Sequence, residues 1–141
     1  MTILLVRHAS AGKRKEWRGD DRLRPLDVHG RRQAEGLVEL LRERAPKSVL
    51  SSAYARCHET VEPLAHALGL AVEDRHELEE GATADDVRGL GAEFADDIAV
   101  FCTHGDVVEA VVGAESDKGS TWVLRLDGGE LRRIEYLPPP A

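Results

Sequence analysis

Three short apolar runs, each ending in residues able to do chemistry, constrain this chain more than any other feature. "TILLVR" (2–7), "KSVLSSA" (47–53) and "DIAVFCTH" (97–104) read as strands. Amphipathic stretches follow them. Asp27 is placed as the N-cap of a helix running to about Arg44, with Ala34, Leu37, Val38 and Leu41 on one face and Pro46 beyond its end. A second helical pattern starts at Tyr54, carries Cys57, Val61, Leu64, Ala65 and Leu68 at helical spacing, and stops at Gly69. Pro63 falls inside it and predicts a kink or a restarted turn.

Residues 70–81 predict a short strand and an acidic loop, and 83–95 a weaker helix interrupted by Gly89 and Gly91. "GDVVEAVVG" opens a helix directly after the third strand, and "TWVLRL", "DGG" and "ELRRIEYL" form a C-terminal hairpin with a glycine turn. "PPPA" reads as a frayed tail. Strands alternating with helices predict an α/β fold whose largely parallel sheet is covered on both faces. With no internal repeat and no linker, residues 1–141 are expected to form one domain.

Charge narrows the partners. Nineteen Lys and Arg against 26 Asp and Glu leave a net −7, which argues against a nucleic-acid or membrane-surface protein. No apolar run approaches the roughly 20 residues needed to span a bilayer. The opening "MTILLVRHAS" lacks the basic start and small-residue cleavage site of a signal peptide. Cys57 and Cys102 are far apart and form no CxxC pattern, so a reducing cytoplasm is the expected compartment.

In open parallel sheets, ligands sit beyond the carboxyl ends of the strands. There the first run delivers Arg7 and His8, the second Ser51 and Ser52 with Arg56 in the next helical turn, and the third Thr103, His104 and Gly105. Two helix N-termini therefore aim amides at one crevice, beside two arginines and two histidines: a seat for an anion. A phosphoryl group suits this inventory. Arginine forks bind its oxygens bidentately, and an imidazole can attack phosphorus to form a phosphohistidine that water later cleaves. With Arg7, Arg56 and a protonated His104 present, a divalent metal would be redundant, so no metal and no cofactor is expected.

Four segments, "LLVRHASAG", "RPLDVHGRRQAEGL", "VLSSAYARCHETVEPLAHALG" and "VFCTHGDVVEAVVG", together resemble the histidine phosphatase superfamily, the group of phosphoglycerate mutases and SixA-type phosphohistidine phosphatases. The likeness covers about residues 2–113 and implies a three-layer α/β/α sandwich. By that resemblance His8 matches the phosphorylated nucleophile, Arg7 and Arg56 the phosphate arginines, and His104 the second histidine, cationic when it meets phosphate. The family's leaving-group acid often sits in an L-x-E segment before a glycine. "HELEEGAT" offers Glu77, Glu79 and Glu80, and the spacing from Leu78 favours Glu80. SixA-type members manage with little or no acid, because imidazole is a better leaving group than an alkoxide.

Two further positions, Arg14 and Ser10, are candidate substrate contacts. Several mutase-like members carry asparagine where this chain has Arg14, so Lys13 and Arg14 either add charge for a polyanionic substrate or are merely solvated. "GKRKEWRGDD", "RPLD" and "KGSTWVLRLDGG" are similar to the phosphatase half of certain two-domain Nudix/histidine-phosphatase proteins, which raises nucleotide-derived phosphates as substrates.

The bland alternatives are specific. His8 with Arg7 could be a strand-end pair, His104 a satisfied core histidine, Glu80 part of a solvated acidic loop, and "GKRKEWRGDDRLR" a solvated charged loop. His29, His58, His66 and His76 read as surface or helix-face residues, Cys102 as a buried small hydrophobe, and Trp122 as hairpin packing. Trp17 and Asp20 are candidates for the pocket mouth. A zinc set of Cys57, His58, Cys102 and His104 matches no usual spacing. The resulting expectation is a metal-independent phosphatase acting on a phosphorylated small molecule or a phosphohistidine protein, through a phosphohistidine on His8. The alternative is a non-catalytic phosphate- or phosphohistidine-binding module. Oligomeric state is not legible.

Overall fold

The computed structural model describes residues 1–94 and 96–140. Six strands form one sheet: β1 (Thr2–Arg7), β2 (Ser48–Ser51), β3 (Val72–Asp74), β4 (Ile98–Thr103), β5 (Thr121–Asp127) and β6 (Glu130–Leu137). Four α-helices accompany them among the described residues: α1 (Val28–Leu41), α2 (Ala55–Leu68), α3 (Ala84–Gly91) and α4 (Gly105–Val112). The strand order is β3-β2-β4-β1-β5-β6. β3, β2, β4 and β1 run parallel, while β5 is antiparallel to both β1 and β6. This is the expected α/β sandwich, with the hairpin added as an antiparallel edge.

The pleat explains why the strands read as unbroken apolar runs. In β1, Leu4 and Val6 join Leu37 and Leu41 of α1 and Val61 and Leu64 of α2 on one face. Ile3 and Leu5 join Val87 and Leu90 of α3 and Val107 and Val108 of α4 on the other. A strand covered on both faces has no position left for a polar alternation. Removing any one of these leucine side chains would cost about 2–5 kcal/mol through lost burial and a residual cavity.

Local chemistry sets most boundaries. Asp27 caps α1 by accepting from the Gly30 amide at 2.7 Å, and Gly69, at φ 70°, ends α2. Gly128 and Gly129, at φ 57° and 82°, make the two-residue turn between β5 and β6.

Three expectations need correction. No turn restarts at Pro63: α2 is one continuous helix, and the buried stripe Cys57, Val61, Leu64, Ala65 anchors it on both sides of the proline. α3 passes through Gly89 and ends at Gly91; a Cβ on Gly91 would lie 2.9 Å from a Leu126 methyl and 3.1 Å from Ile3, so glycine there lets the helix end sit close to the sheet. Position 95, the expected end of that helix, lies outside the described residues. The tail is not frayed as far as residue 140, since Pro140 packs onto Gly36 of α1. No helix among the described residues is long and apolar enough to cross a membrane.

Candidate active site

The carboxyl ends of β1, β2 and β4 open into a cleft of about 1100 Å³. Its wall includes Arg7, His8, Arg14, Arg56, Glu80 and His104, so the structure gathers six of the seven residues singled out from the sequence. Ser10 is the exception. Its hydroxyl donates to Asp27 Oδ2 at 2.7 Å and its amide to Gln33 Oε1 at 3.0 Å. The serine therefore ties the loop after β1 to α1.

His8 is 7% exposed. Its Nδ1 lies 2.8 Å from the Ala9 carbonyl, which makes Nδ1 the protonated nitrogen and leaves Nε2 with the lone pair. Burial pushes its pKa down from 6.5 to about 3. The Ala9 carbonyl opposes that shift, and the charges of His104, Arg56 and Arg7 add to it. The imidazole is thus neutral near pH 7, as a nucleophile requires.

Arg7 reaches across α4, its Nη1 donating to the Ser116 carbonyl. The guanidinium lies so close to Gly105 that a Cβ there would come within 2.8 Å of its Cζ and Nε. Arg56, 1% exposed at the start of α2, donates from Nη2 to Glu80 Oε1 at 2.6 Å and from Nη1 to the Asp21 carbonyl at 3.0 Å. The helix dipole disfavours a cation there, and the carboxylates of Asp21 and Glu80 compensate it. The Nε atoms of Arg7 and Arg56 are buried without a partner, donors that an entering anion can satisfy.

His104, 2% exposed, follows β4 as the N-cap residue of α4. Its ring stands edge-on to that of His8, with centroids 5.6 Å apart. Nε2 lies 2.9 Å from Ser52 Oγ and 3.5 Å from Cys57 Sγ, and Nδ1 lies 3.7 Å from Glu80 Oε1. Glu80 also bonds Arg14 Nη2 at 2.6 Å, so one carboxylate oxygen touches two arginines and approaches the second histidine. Glu77 turns away to Arg75.

The remaining candidates sort themselves by geometry. Trp17 and Asp20 bond each other through Nε1 and a backbone oxygen at 2.9 Å, and neither lines the cleft. His58 pairs with Glu62 and Asp74, which scatters the zinc set. Cys102 is fully buried, and burial raises its thiol pKa well up, as for a small hydrophobe. Trp122 packs against Tyr136 in the hairpin.

Sequence reading missed Asp21 and Arg24, while Ser52, delivered by the second strand, meets His104. Asp21 and Arg24 sit in the charged run that composition alone makes look solvated, although their i,i+3 spacing of opposite charges was a usable signal.

A family description, the histidine phosphatase superfamily (branch 1), matches residues 3–99. The 8-oxo-(d)GTP phosphatase of Mycolicibacterium smegmatis is 37% identical over 99% of this chain, which spans only 48% of that protein's length. The fold is similar to that of the protein histidine phosphatase SixA complexed with tungstate, at a TM-score of 0.83 and 19% identity over 99% of this chain and 97% of that one. It is also similar to a phosphoserine phosphatase from Entamoeba histolytica, at a TM-score of 0.78 and 11% identity over 96% of each chain.

Proposed function

Because this chain belongs to the histidine phosphatase superfamily, we propose that residues 1–141 act as one phosphatase domain, hydrolysing a phosphorylated substrate through a covalent phosphohistidine on His8. The observation that carries this reading is the His8 ring: buried, neutral, its Nδ1 turned to the Ala9 carbonyl, and walled by Arg7, Arg56 and His104.

His8 Nε2 donates its lone pair to phosphorus as the bond from phosphorus to the leaving oxygen breaks. Arg7, Arg56 and His104 take the three equatorial oxygens, where charge is spread in the transition state. Glu80, ionised between Arg14 and Arg56 in the free protein, takes up a proton from solvent as the phosphate displaces it and passes that proton to the leaving oxygen. It then accepts one from the water that attacks phosphorus, the P–Nε2 bond breaks, and His8 returns neutral with orthophosphate released. The net change is addition of one water across the ester. Substrate entry has to move Glu80, whose Oε1 now holds the place on Arg56 that a phosphate oxygen needs.

Four arginines, Arg7, Arg14, Arg24 and Arg56, and three lysines, Lys13, Lys15 and Lys118, stand against five carboxylates, Asp21, Glu80, Asp106, Glu109 and Glu115, around the cleft. That surplus matches a phosphate dianion and supports chemistry that calls on no divalent metal. The likeness to an 8-oxo-(d)GTP phosphatase supports nucleoside phosphates as the first substrates to try beside phosphohistidine peptides. The two buried free thiols agree with a reducing cytoplasm.

Incubation with a phosphate ester followed by an acid or base quench tests the reading. A phosphate on His8 that is labile to acid and stable to base, and absent from His8→Ala, is the expected result. Ordinary phosphate binding with no turnover would favour the non-catalytic module. Turnover compared across phosphohistidine peptides, nucleotides and sugar phosphates assigns the substrate class.

A further inference from the structure

We propose that Asp21 is the positioning residue of the phosphate-binding arginine: it grips both terminal nitrogens of Arg56 while its carboxylate gathers Arg14 and Arg24 into the cleft wall. This rests on the reading of Arg56 as a phosphate ligand. Asp21 opens a 3-10 turn at Asp21–Leu23, and its carbonyl accepts from Arg56 Nη1 at 3.0 Å while its Oδ2 lies 3.1 Å from Nη2. A hydrogen bond at one end of the guanidinium and an ion pair at the other hold its plane. Nε is the donor they leave over, buried and unpartnered.

The same carboxylate is itself held. Its Oδ1 accepts from Arg24 Nε at 3.0 Å, and Arg24, 7% exposed, donates from Nη1 to the Ala11 carbonyl at 2.6 Å. Ala11 lies three residues after His8. A continuous chain of bonds thus runs from the loop that carries the nucleophile, through Arg24 and Asp21, to Arg56 on another helix. Oδ2 also lies 3.3 Å from Arg14 Nη2. Burial pushes the Asp21 carboxyl up, but the bond from Arg24 and the charges of Arg56, Arg14 and Arg24 outweigh it, and the net shift is down, so it stays ionised. Glu80 cannot substitute: it meets Arg14 and Arg56 through a single oxygen, and that oxygen must yield to the substrate.

The sign of one measurement separates positioning from plain charge. If Asp21 were only a negative charge near the anion site, removing it would tighten anion binding and help turnover. As a positioning residue it has the opposite effect, even though the net positive charge rises by one. For Asp21→Asn we expect tungstate to bind about tenfold more weakly and kcat on a phosphate monoester to fall about 10–100-fold, the scale of a misplaced reacting group. Equal or tighter tungstate binding, or an unchanged kcat, overturns the proposal. Failure of the wild type to bind tungstate would instead reject the phosphate site itself.

A second measurement covers the case in which Asp21→Asn does not fold. In Glu80→Gln, Asp21 is the one carboxylate left on Arg56 among the described residues. Arginine-labelled NMR of that variant should show resolved Nη protons for Arg56, the signature of a guanidinium that does not rotate. Averaged signals overturn the proposal.

Discussion

The neutral imidazole of His8 has a thermodynamic consequence that a denaturation curve can read. In the folded chain its pKa is about 3, against 6.5 when unperturbed, with burial the largest cause. Between those two values the unfolded chain binds a proton that the folded chain refuses. Stability is therefore fully present above about pH 6.5 and drains away as pH falls toward 3. Each pH unit in that window is about 1.4 kcal/mol. Moving from pH 7.5 to pH 5.0 crosses about one and a half units of it, so His8 alone removes about 2 kcal/mol. Asparagine is the reference substitution, since its side-chain amide can still donate to the Ala9 carbonyl but does not titrate. Urea unfolding of the wild type and His8→Asn at both pH values isolates His8 together with its coupling to His104, because titrating groups away from His8 cancel in the difference. The buffer must be free of phosphate, which would stabilise the folded state by binding it. The wild type should lose about 2 kcal/mol more than the variant. Equal losses would refute a buried, neutral His8 and with it the nucleophile's preparation.

Further perturbations follow from close approaches and from charge. Gly105→Ala puts a Cβ 2.8 Å from the Arg7 guanidinium, the end of a flexible side chain. It should leave the melting temperature nearly unchanged while kcat/KM drops about 10–100-fold in a steady-state assay. Gly30→Ala places a Cβ 1.9 Å from the Ser10 backbone oxygen, so overpacking of about 1–3 kcal/mol or more should exceed the helix-propensity gain of about 1 kcal/mol and lower stability. Gly89→Ala meets nothing within 4 Å in α3 and should raise stability by about 0.5–1 kcal/mol. Chelator treatment followed by gel filtration should leave turnover unchanged; a loss restored by a divalent cation would contradict the arginine-based chemistry.

The six cleft residues carry different lessons about legibility. Arg7, His8 and His104 could be read from the sequence because each lies at the end of an apolar run, and the end of a parallel strand faces the ligand side of the sheet. Arg56 could be read because a cation in a first helical turn is unfavourable unless an anion is near. Spacing from Leu78 favours Glu80 over its two neighbouring glutamates, but the direction of each side chain comes with the fold, which turns Glu77 to Arg75 and Glu80 to Arg56. Ser10 shows the same limit: nearness to His8 along the chain does not say which way a hydroxyl points, and here it points to Asp27.

What the sequence determined alone is what depends on a few neighbouring residues: apolar runs that must be buried, the Asp27 cap, the glycines at positive φ, and the strand ends where chemistry gathers. The order of the strands came only with the tertiary structure. So did the passage of α2 through Pro63 and the placing of Asp21 between Arg14, Arg24 and Arg56. A charged loop has the same composition whether it is solvated or folded over a cleft. The difference lies in partners tens of residues away, which packing selects and local propensity does not.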